Sequence, residues 1–238
     1  MPFSTDEFKY YQRHFLLDEI NLIHQEKIKN TSLLIIGAGG LGSPLLLMCS
    51  GIGFGNIGIV DFDTISIHNL HRQYLYDFNE INSPKISIAT QKIRNRNPYI
   101  KITSHPVLLD ENNAESIIQN YDIIADGTDN FNTRYLVNDV CVKLNKPLIS
   151  GSIFKWTCQV GLFNYKQSKN LRDIFPEPPL PEEAPSCAEA GVVNTITTYC
   201  SSLMAQLILQ VALDKAEPMR NKLIIADIWK FEQKLLSY

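Results

Sequence analysis

The chain has 238 residues, 45% of them hydrophobic, with a formal net charge of -3 and a sequence pI near 6.0. That is enough apolar material for one large α/β domain or two small ones, and the lack of a basic excess argues against nucleic acid as a partner. The five cysteines are odd in number, scattered and free of any C-x-x-C pair, which argues against a disulfide framework or a cysteine zinc site and points to a reducing, cytoplasmic setting.

In chain order, Glu7 to Lys29 is polar and amphipathic and is expected to be helical. Leu33–Ile36 reads as a first strand that runs straight into Gly37-Ala38-Gly39-Gly40-Leu41-Gly42 and then a helix-compatible segment, Leu45 to Ser50. Ile57–Asp61 reads as a second strand. Lys85 to Arg94 reads as a helix closed by Asn97-Pro98, and Ile100–Ser104 as a third strand. Asn113 to Gln119 is an expected helix, Asp122–Ala125 a fourth strand, Asn132 to Leu144 a helix, and Pro147–Ser150 the start of another strand. This alternation predicts an α/β fold, a Rossmann-like, mostly parallel sheet with helices on both faces.

The pattern then changes. Cys158–Tyr165 alternates as a strand does. Phe175 to Pro185 holds five prolines and three glutamates and is expected to be an exposed loop. Gly191 to Leu213 reads as a helix, and Leu223–Ala226 and Phe231–Leu235 as closing antiparallel strands. No linker divides the chain, so residues 1–238 are expected to be a single domain. The N-terminus carries no signal-peptide pattern. Leu33 to Val60 and Gly191 to Leu213 are long and uncharged, but Pro44, Asn56 and glycines interrupt the first, and Asn194, Thr195 and Gln206 the second. Both are expected to be buried, with no membrane contact.

Gly37, Gly39 and Gly42 satisfy G-x-G-x-x-G between a strand and a helix, where backbone N–H groups can approach phosphate. Asp61 ends the next strand, where a carboxylate can accept a ribose hydroxyl. These features alone fit a nicotinamide-dependent oxidoreductase. Asn69, Arg72 and Gln73 do not, because hydride transfer has no use for them, whereas an enzyme that cleaves a triphosphate does. Arg72 offers a planar fork to phosphate oxygens, Lys85 a point charge at a helix start, and Asn69 and Gln73 neutral donors. Asp126-Gly127-Thr128-Asp129-Asn130 follows a strand and falls at the carboxyl edge of the sheet, where Asp129 could hold magnesium beside substrate phosphates. His68 and His71 have no third ligand nearby, so a metal role for them is disfavoured. Trp156 and Tyr74-Leu75-Tyr76 read as packing residues.

Together with Asp61-Phe62-Asp63, Asn69-Leu70-His71-Arg72-Gln73, Pro84-Lys85, Thr128-Asp129-Asn130 and Cys187-Ala188-Glu189-Ala190-Gly191-Val192, the glycine turn resembles the ThiF/MoeB/HesA family, bacterial relatives of ubiquitin-activating enzymes. The resemblance covers almost the whole chain. It implies adenylation by MgATP of the C-terminal glycine of a small ubiquitin-fold sulfur carrier, in thiamine thiazole or molybdopterin synthesis. Gly40 would lie under the phosphates and Asp61, with Asp63 near it, would hold the ribose. Asn69, Arg72, Lys85 and, more weakly, Gln73 would bind the triphosphate. Asp129 would coordinate magnesium, with Asn130 beside it. Family dimers send an N-terminal arginine into the neighbouring subunit's site, and Tyr11-Gln12-Arg13 makes Arg13 the candidate, so a homodimer is implied.

The chain departs from the family in lacking both C-x-x-C pairs of its zinc-bearing members, so no zinc is expected. With no appended sulfurtransferase domain, sulfur would come from a separate donor. Cys187 follows the proline-rich loop, at a position that can meet the activated carboxylate or a persulfide in relatives; a spectator thiol is the competing reading. Alternatives to carrier activation are adenylation of a peptide or small-molecule carboxylate, the oxidoreductase above, and a binding scaffold with a degenerate nucleotide site.

Overall fold

The computed structural model describes residues 2–179 and 191–238. Cys187, the rest of its motif up to Ala190, and Glu182 and Glu183 lie outside the described residues. Eight strands form one sheet in the order β3-β2-β1-β4-β5-β6-β7-β8. They are β1 (Ser32–Ile36), β2 (Asn56–Val60), β3 (Lys101–His105), β4 (Ile123–Asp126), β5 (Leu148–Phe154), β6 (Thr157–Phe163), β7 (Lys222–Asp227) and β8 (Glu232–Ser237). Strands β1 to β5 pair in parallel, and β5 through β8 are antiparallel. The expected mostly parallel sheet with an antiparallel C-terminal extension is therefore observed.

The strand sequences explain the layers. Strand β1 is apolar at every position from Leu33 to Ile36, as a strand covered on both faces must be. Its alternation sends Leu33 and Ile35 to one cluster, with Leu45, Ile86 and Ile208, and Leu34 and Ile36 to the other, with Ile118 and Val137. Helices α3 (Gly42–Ile52), α4 (Lys85–Arg96) and α7 (Asn194–Ala212) cover the first face. Helices α5 (Ala114–Ile118) and α6 (Phe131–Lys143) cover the second. Among the described residues, no helix is long and apolar enough to cross a membrane.

The N-terminal segment departs from the continuous helix expected over Glu7 to Lys29. It breaks into α1 (Thr5–Tyr11), a 3-10 turn at His14–Leu16, and α2 (Leu22–Asn30). The break has a local cause. Asn21 is extended, at φ -110°, and its side chain accepts from His24 N while the His24 ring accepts from Asn21 N, which starts a new helix.

Because β1 is flanked by β2 on one side and β4 on the other, successive crossovers run in opposite directions and leave a crevice beyond the carboxyl ends of these strands. The glycine turn, Asp61 and Asp126 all sit at that edge.

Candidate active site

A cavity of about 1060 Å³ opens there. It runs across the sheet from Val60 and Asp61 after β2, past Ile36 and Gly127, to Ser150 on β5, Gln159 on β6 and Ile225 on β7. Its β2-side half carries Asp61, Asp63, Arg72 and Lys85 beside an apolar patch of Val107, Leu108 and Leu109. Its far half is lined by Phe154, Phe163, Phe175, Leu223 and Ile225.

The turn between β1 and α3 gives each glycine a different task. Gly37 has φ +88°, which favours a residue without Cβ, and its N–H donates to Val60 O at 2.8 Å. A Cβ on Gly42 would stand 1.7 Å from Gly37 O, so Gly42 lets the helix start against the turn. Gly39 and Gly40 line the cavity, whereas Gly42 does not. No side chain caps α3; in its first turn Ser43 N donates to Gly39 O at 2.9 Å, Leu45 N donates to Leu41 O at 3.2 Å, and Pro44 has no N–H. Tyr76 steadies the turn by donating to Ala38 O at 2.9 Å.

Asp61 is buried. Its Oδ2 accepts from Ala38 N at 2.7 Å and its Oδ1 from Asp63 N at 2.8 Å. Burial pushes its carboxyl above the ordinary carboxylate range, while those two amides and the Lys85 charge pull the other way. The carboxylate thus tethers the glycine turn and keeps second lone pairs for a hydroxyl. Lys85 is 4% exposed, and its Nζ lies 2.9 Å from Asp63 Oδ2. Its amide also donates to Asp63 O, at 2.9 Å.

Arg72 is held by three acceptors. Its Nη1 donates to His68 O at 2.9 Å and to His71 Nε2 at 2.9 Å, and its Nη2 to Asn69 Oδ1 at 3.1 Å. Gln73 is buried against Gly39, and its Oε1 has no hydrogen-bond partner among the described residues. A buried amide oxygen left without a partner beside a glycine turn fits a site that is completed by a polar ligand.

Asp129 stands exposed at the cavity rim with no hydrogen bond or ion pair to another described residue. One carboxylate facing open space suits magnesium, which takes one or two protein oxygens and fills its shell from phosphates and water. No cluster of three or more His, Cys, Asp or Glu placed to hold a metal occurs among the described residues. Asn130 caps α6, its Oδ1 accepting from Thr133 N at 2.8 Å.

The structure therefore gathers Gly37, Gly39, Gly40, Asp61, Asp63, Asn69, Arg72, Gln73, Lys85, Asp129 and Asn130 around one cavity. Arg13 is exposed and lines no part of it. Trp156 packs on Trp229 with ring centroids 4.9 Å apart and planes tilted by 40°, and Tyr74 accepts from Thr198 Oγ1 at 3.2 Å. Sequence reasoning assigned no role to Asp126, Thr128, Arg134 or Ser150, which also converge here. The available signal was an acidic residue ending a wholly apolar buried strand.

Residues 11–237 match the model of the ThiF family. The chain belongs to the ThiF family. This ThiF chain is 38% identical over 232 residues to the sulfur carrier protein adenylyltransferase of Thermus thermophilus, covering 95% of this chain and 86% of that protein. It is 37% identical over 238 residues to the probable adenylyltransferase/sulfurtransferase MoeZ of Mycobacterium tuberculosis, spanning 98% of this chain but 61% of MoeZ. The crystal structure of E. coli MccB with ATP superposes with a TM-score of 0.83 at 20% identity, over 98% of this chain and 72% of MccB, a likeness of fold.

Proposed function

We propose that this ThiF chain, as a single adenylating domain over residues 1–238, uses ATP to adenylate the C-terminal glycine carboxylate of a small ubiquitin-like sulfur carrier. The observation that carries the reading is the meeting of Arg72, Lys85 and Asp129 in one cavity above Gly39 and Gly40, with an apolar extension toward β7. Two cations and a rim carboxylate provide for a triphosphate that is cleaved. An oxidoreductase would leave all three idle.

In this reading Gly40 lies under the phosphates and Asp61 holds the ribose. Asn69, Arg72, Gln73 and Lys85 bind the triphosphate. Asp129 holds magnesium, whose charge would offset that of the phosphate oxygens. The carrier's carboxylate oxygen attacks the α-phosphorus and pyrophosphate leaves. The attacking group is already ionised, so no side chain need act as base or nucleophile. The chain's own task is to align two anions and neutralise the charge that develops, and losing one such contact costs about 3 kcal/mol, roughly a hundredfold in rate. Lys85 is held in register by Asp63 through both its amide and its Nζ.

The proposal extends to a cytoplasmic homodimer in which Arg13 serves the neighbouring subunit, to a separate sulfur donor, and to thiamine thiazole or molybdopterin synthesis. Zinc has no part in it. Cys187 is the candidate for the step after adenylation.

The test is ATP–pyrophosphate exchange stimulated by a small protein ending in Gly-Gly. Arg72→Ala and Asp129→Ala should each abolish exchange while melting like the wild type. Wild-type exchange by either variant, or tight NAD binding without ATP binding, would sink the reading. Exchange stimulated only by a peptide or small carboxylate would replace the carrier with that substrate.

A further inference from the structure

Asp126 ends β4 with its side chain fully buried, and four donors meet its carboxylate. Its Oδ1 accepts from Thr128 N at 3.0 Å and Thr128 Oγ1 at 2.6 Å. Its Oδ2 accepts from Arg134 Nε at 3.1 Å and Ser150 Oγ at 2.9 Å. Arg134, in the first turns of α6, then donates Nη2 to the carbonyls of Thr128 and Gly151, each at 3.0 Å. The pair thus ties together the end of β4, the turn carrying Asp129, helix α6 and β5. Arg134 and Ser150 line the cavity midway along its length, between the charged half and the apolar half.

Stability alone does not account for such a pair, since apolar residues of equal volume can serve as well or better once desolvation is counted. What apolar residues cannot do is hold three separate backbone segments at fixed offsets. Asp129 has no partner of its own among the described residues, so its carboxylate is placed by its backbone. The amide, hydroxyl and carbonyl of the preceding residue, Thr128, are all bound by this pair.

We infer that Asp126 and Arg134 are positioning residues for adenylation. They fix the Thr128–Asp129 turn against Gly151 on β5, so that the carboxylate assigned to magnesium keeps one spacing from that strand. The inference rests on the adenylation reading. The hydrogen bonds they make are to the protein: Asp126 is buried among four donors, and the Nε and Nη2 of Arg134 are spent on Asp126, Thr128 and Gly151.

The test compares Arg134→Lys, Ser150→Ala and Thr128→Val with Asp129→Ala and the wild type in pyrophosphate exchange across magnesium concentrations. ATP affinity and melting temperature are measured alongside. Arg134→Lys keeps the charge but loses the planar fork. It should lower kcat at least tenfold and raise half-saturating magnesium at least tenfold, with the KM for ATP within threefold of wild type. Ser150→Ala and Thr128→Val keep the ion pair and each remove one donor; they should shift kcat and magnesium dependence the same way by threefold or more, and they decide the matter if Arg134→Lys fails to fold. Lower melting temperatures with unchanged kcat and magnesium dependence, alongside an inactive Asp129→Ala, would overturn the inference and leave adenylation standing. Wild-type exchange by Asp129→Ala would overturn both.

Discussion

Gly42 and Gly40 lie two residues apart in one turn, and alanine at each should fail in a different way. In Gly42→Ala the new methyl would lie 1.7 Å from Gly37 O and 2.7 Å from Gly37 C. Both are backbone atoms, so no rotamer relieves the contact. Reaching 3.0 Å, the shortest approach a real Cβ makes, requires the start of α3 to part from the turn by about 1.3 Å. Overpacking typically costs about 1–3 kcal/mol, and a clash with the Gly37 backbone that no rotamer relieves belongs at the top of that range, about 3 kcal/mol. At about 2–4 °C per kcal/mol for a chain of this size, Tm should fall roughly 6–12 °C. In Gly40→Ala the nearest atoms are Thr197 Cγ2 at 3.4 Å and Arg72 Nε at 3.5 Å, ordinary contacts. That variant should melt within about 2 °C of wild type yet bind ATP about tenfold more weakly, about 1.4 kcal/mol, because its methyl occupies cavity space beside Arg72. Thermal unfolding by circular dichroism and calorimetric ATP titration read the two effects. A Gly42→Ala protein that melts like the wild type, or a Gly40→Ala protein that is the less stable of the two, would refute this division of labour.

Burial raises the Asp61 carboxyl above its ordinary 3.8, so just above that pH the folded chain keeps a proton that the unfolded chain has released. This group's share of stability is greatest below that window and declines as pH rises through it. Asp61→Asn removes the decline, so urea titrations between about pH 4 and 6 should show the variant gaining on wild type as pH rises; a loss instead would contradict the assignment. If Arg13 serves the neighbouring subunit, mixing inactive Arg13→Ala and Arg72→Ala dimers should regain up to about a quarter of wild-type exchange, through hybrids with one intact site. No recovery after verified subunit exchange would remove Arg13 from the site. Chelation by EDTA should stop exchange and added magnesium restore it. Metal analysis of the active protein should find zinc well below one per chain, and stoichiometric zinc would reverse that expectation.

What the sequence made legible was local. The strand, glycine turn and helix of residues 33–52 lie in one stretch; Asp61 and Asp129 follow strands whose apolar pattern marks their ends, and Lys85 starts a helix announced by Pro84. The features that escaped depend on neighbours distant in sequence. Gly42 differs from Gly40 through a contact with Gly37 that exists only once the turn has closed. Asp126 meets Ser150 because β4 and β5 pair in that register, and nothing near Asp126 announces it. The apolar half of the cavity is assembled from β5, β6, β7 and the segment around Phe175. The N-terminal break is not legible because Glu7 to Lys29 reads as amphipathic throughout, yet Leu16, Leu17 and Ile23 are 72%, 53% and 74% exposed, and a pair of side-chain bonds at Asn21 starts the second helix.

The strand order also sets a schedule for synthesis. Strands β1, β2 and β3 can pair as soon as residue 105 has emerged, but the other edge of β1 finds its partner only when β4, starting at Ile123, appears. At ordinary elongation rates the apolar run Leu33–Ile36 therefore keeps one bare edge for roughly 5–18 s after it is made. That edge is an open template for pairing with another nascent chain. From β5 onward each strand pairs antiparallel with the one before it, although β6 ends at Phe163 and β7 starts only at Lys222, so the free edge of β6 waits in its turn. The interval in which this protein is most exposed to misassembly closes with the same strand that brings Asp126 to the carboxyl edge of the sheet.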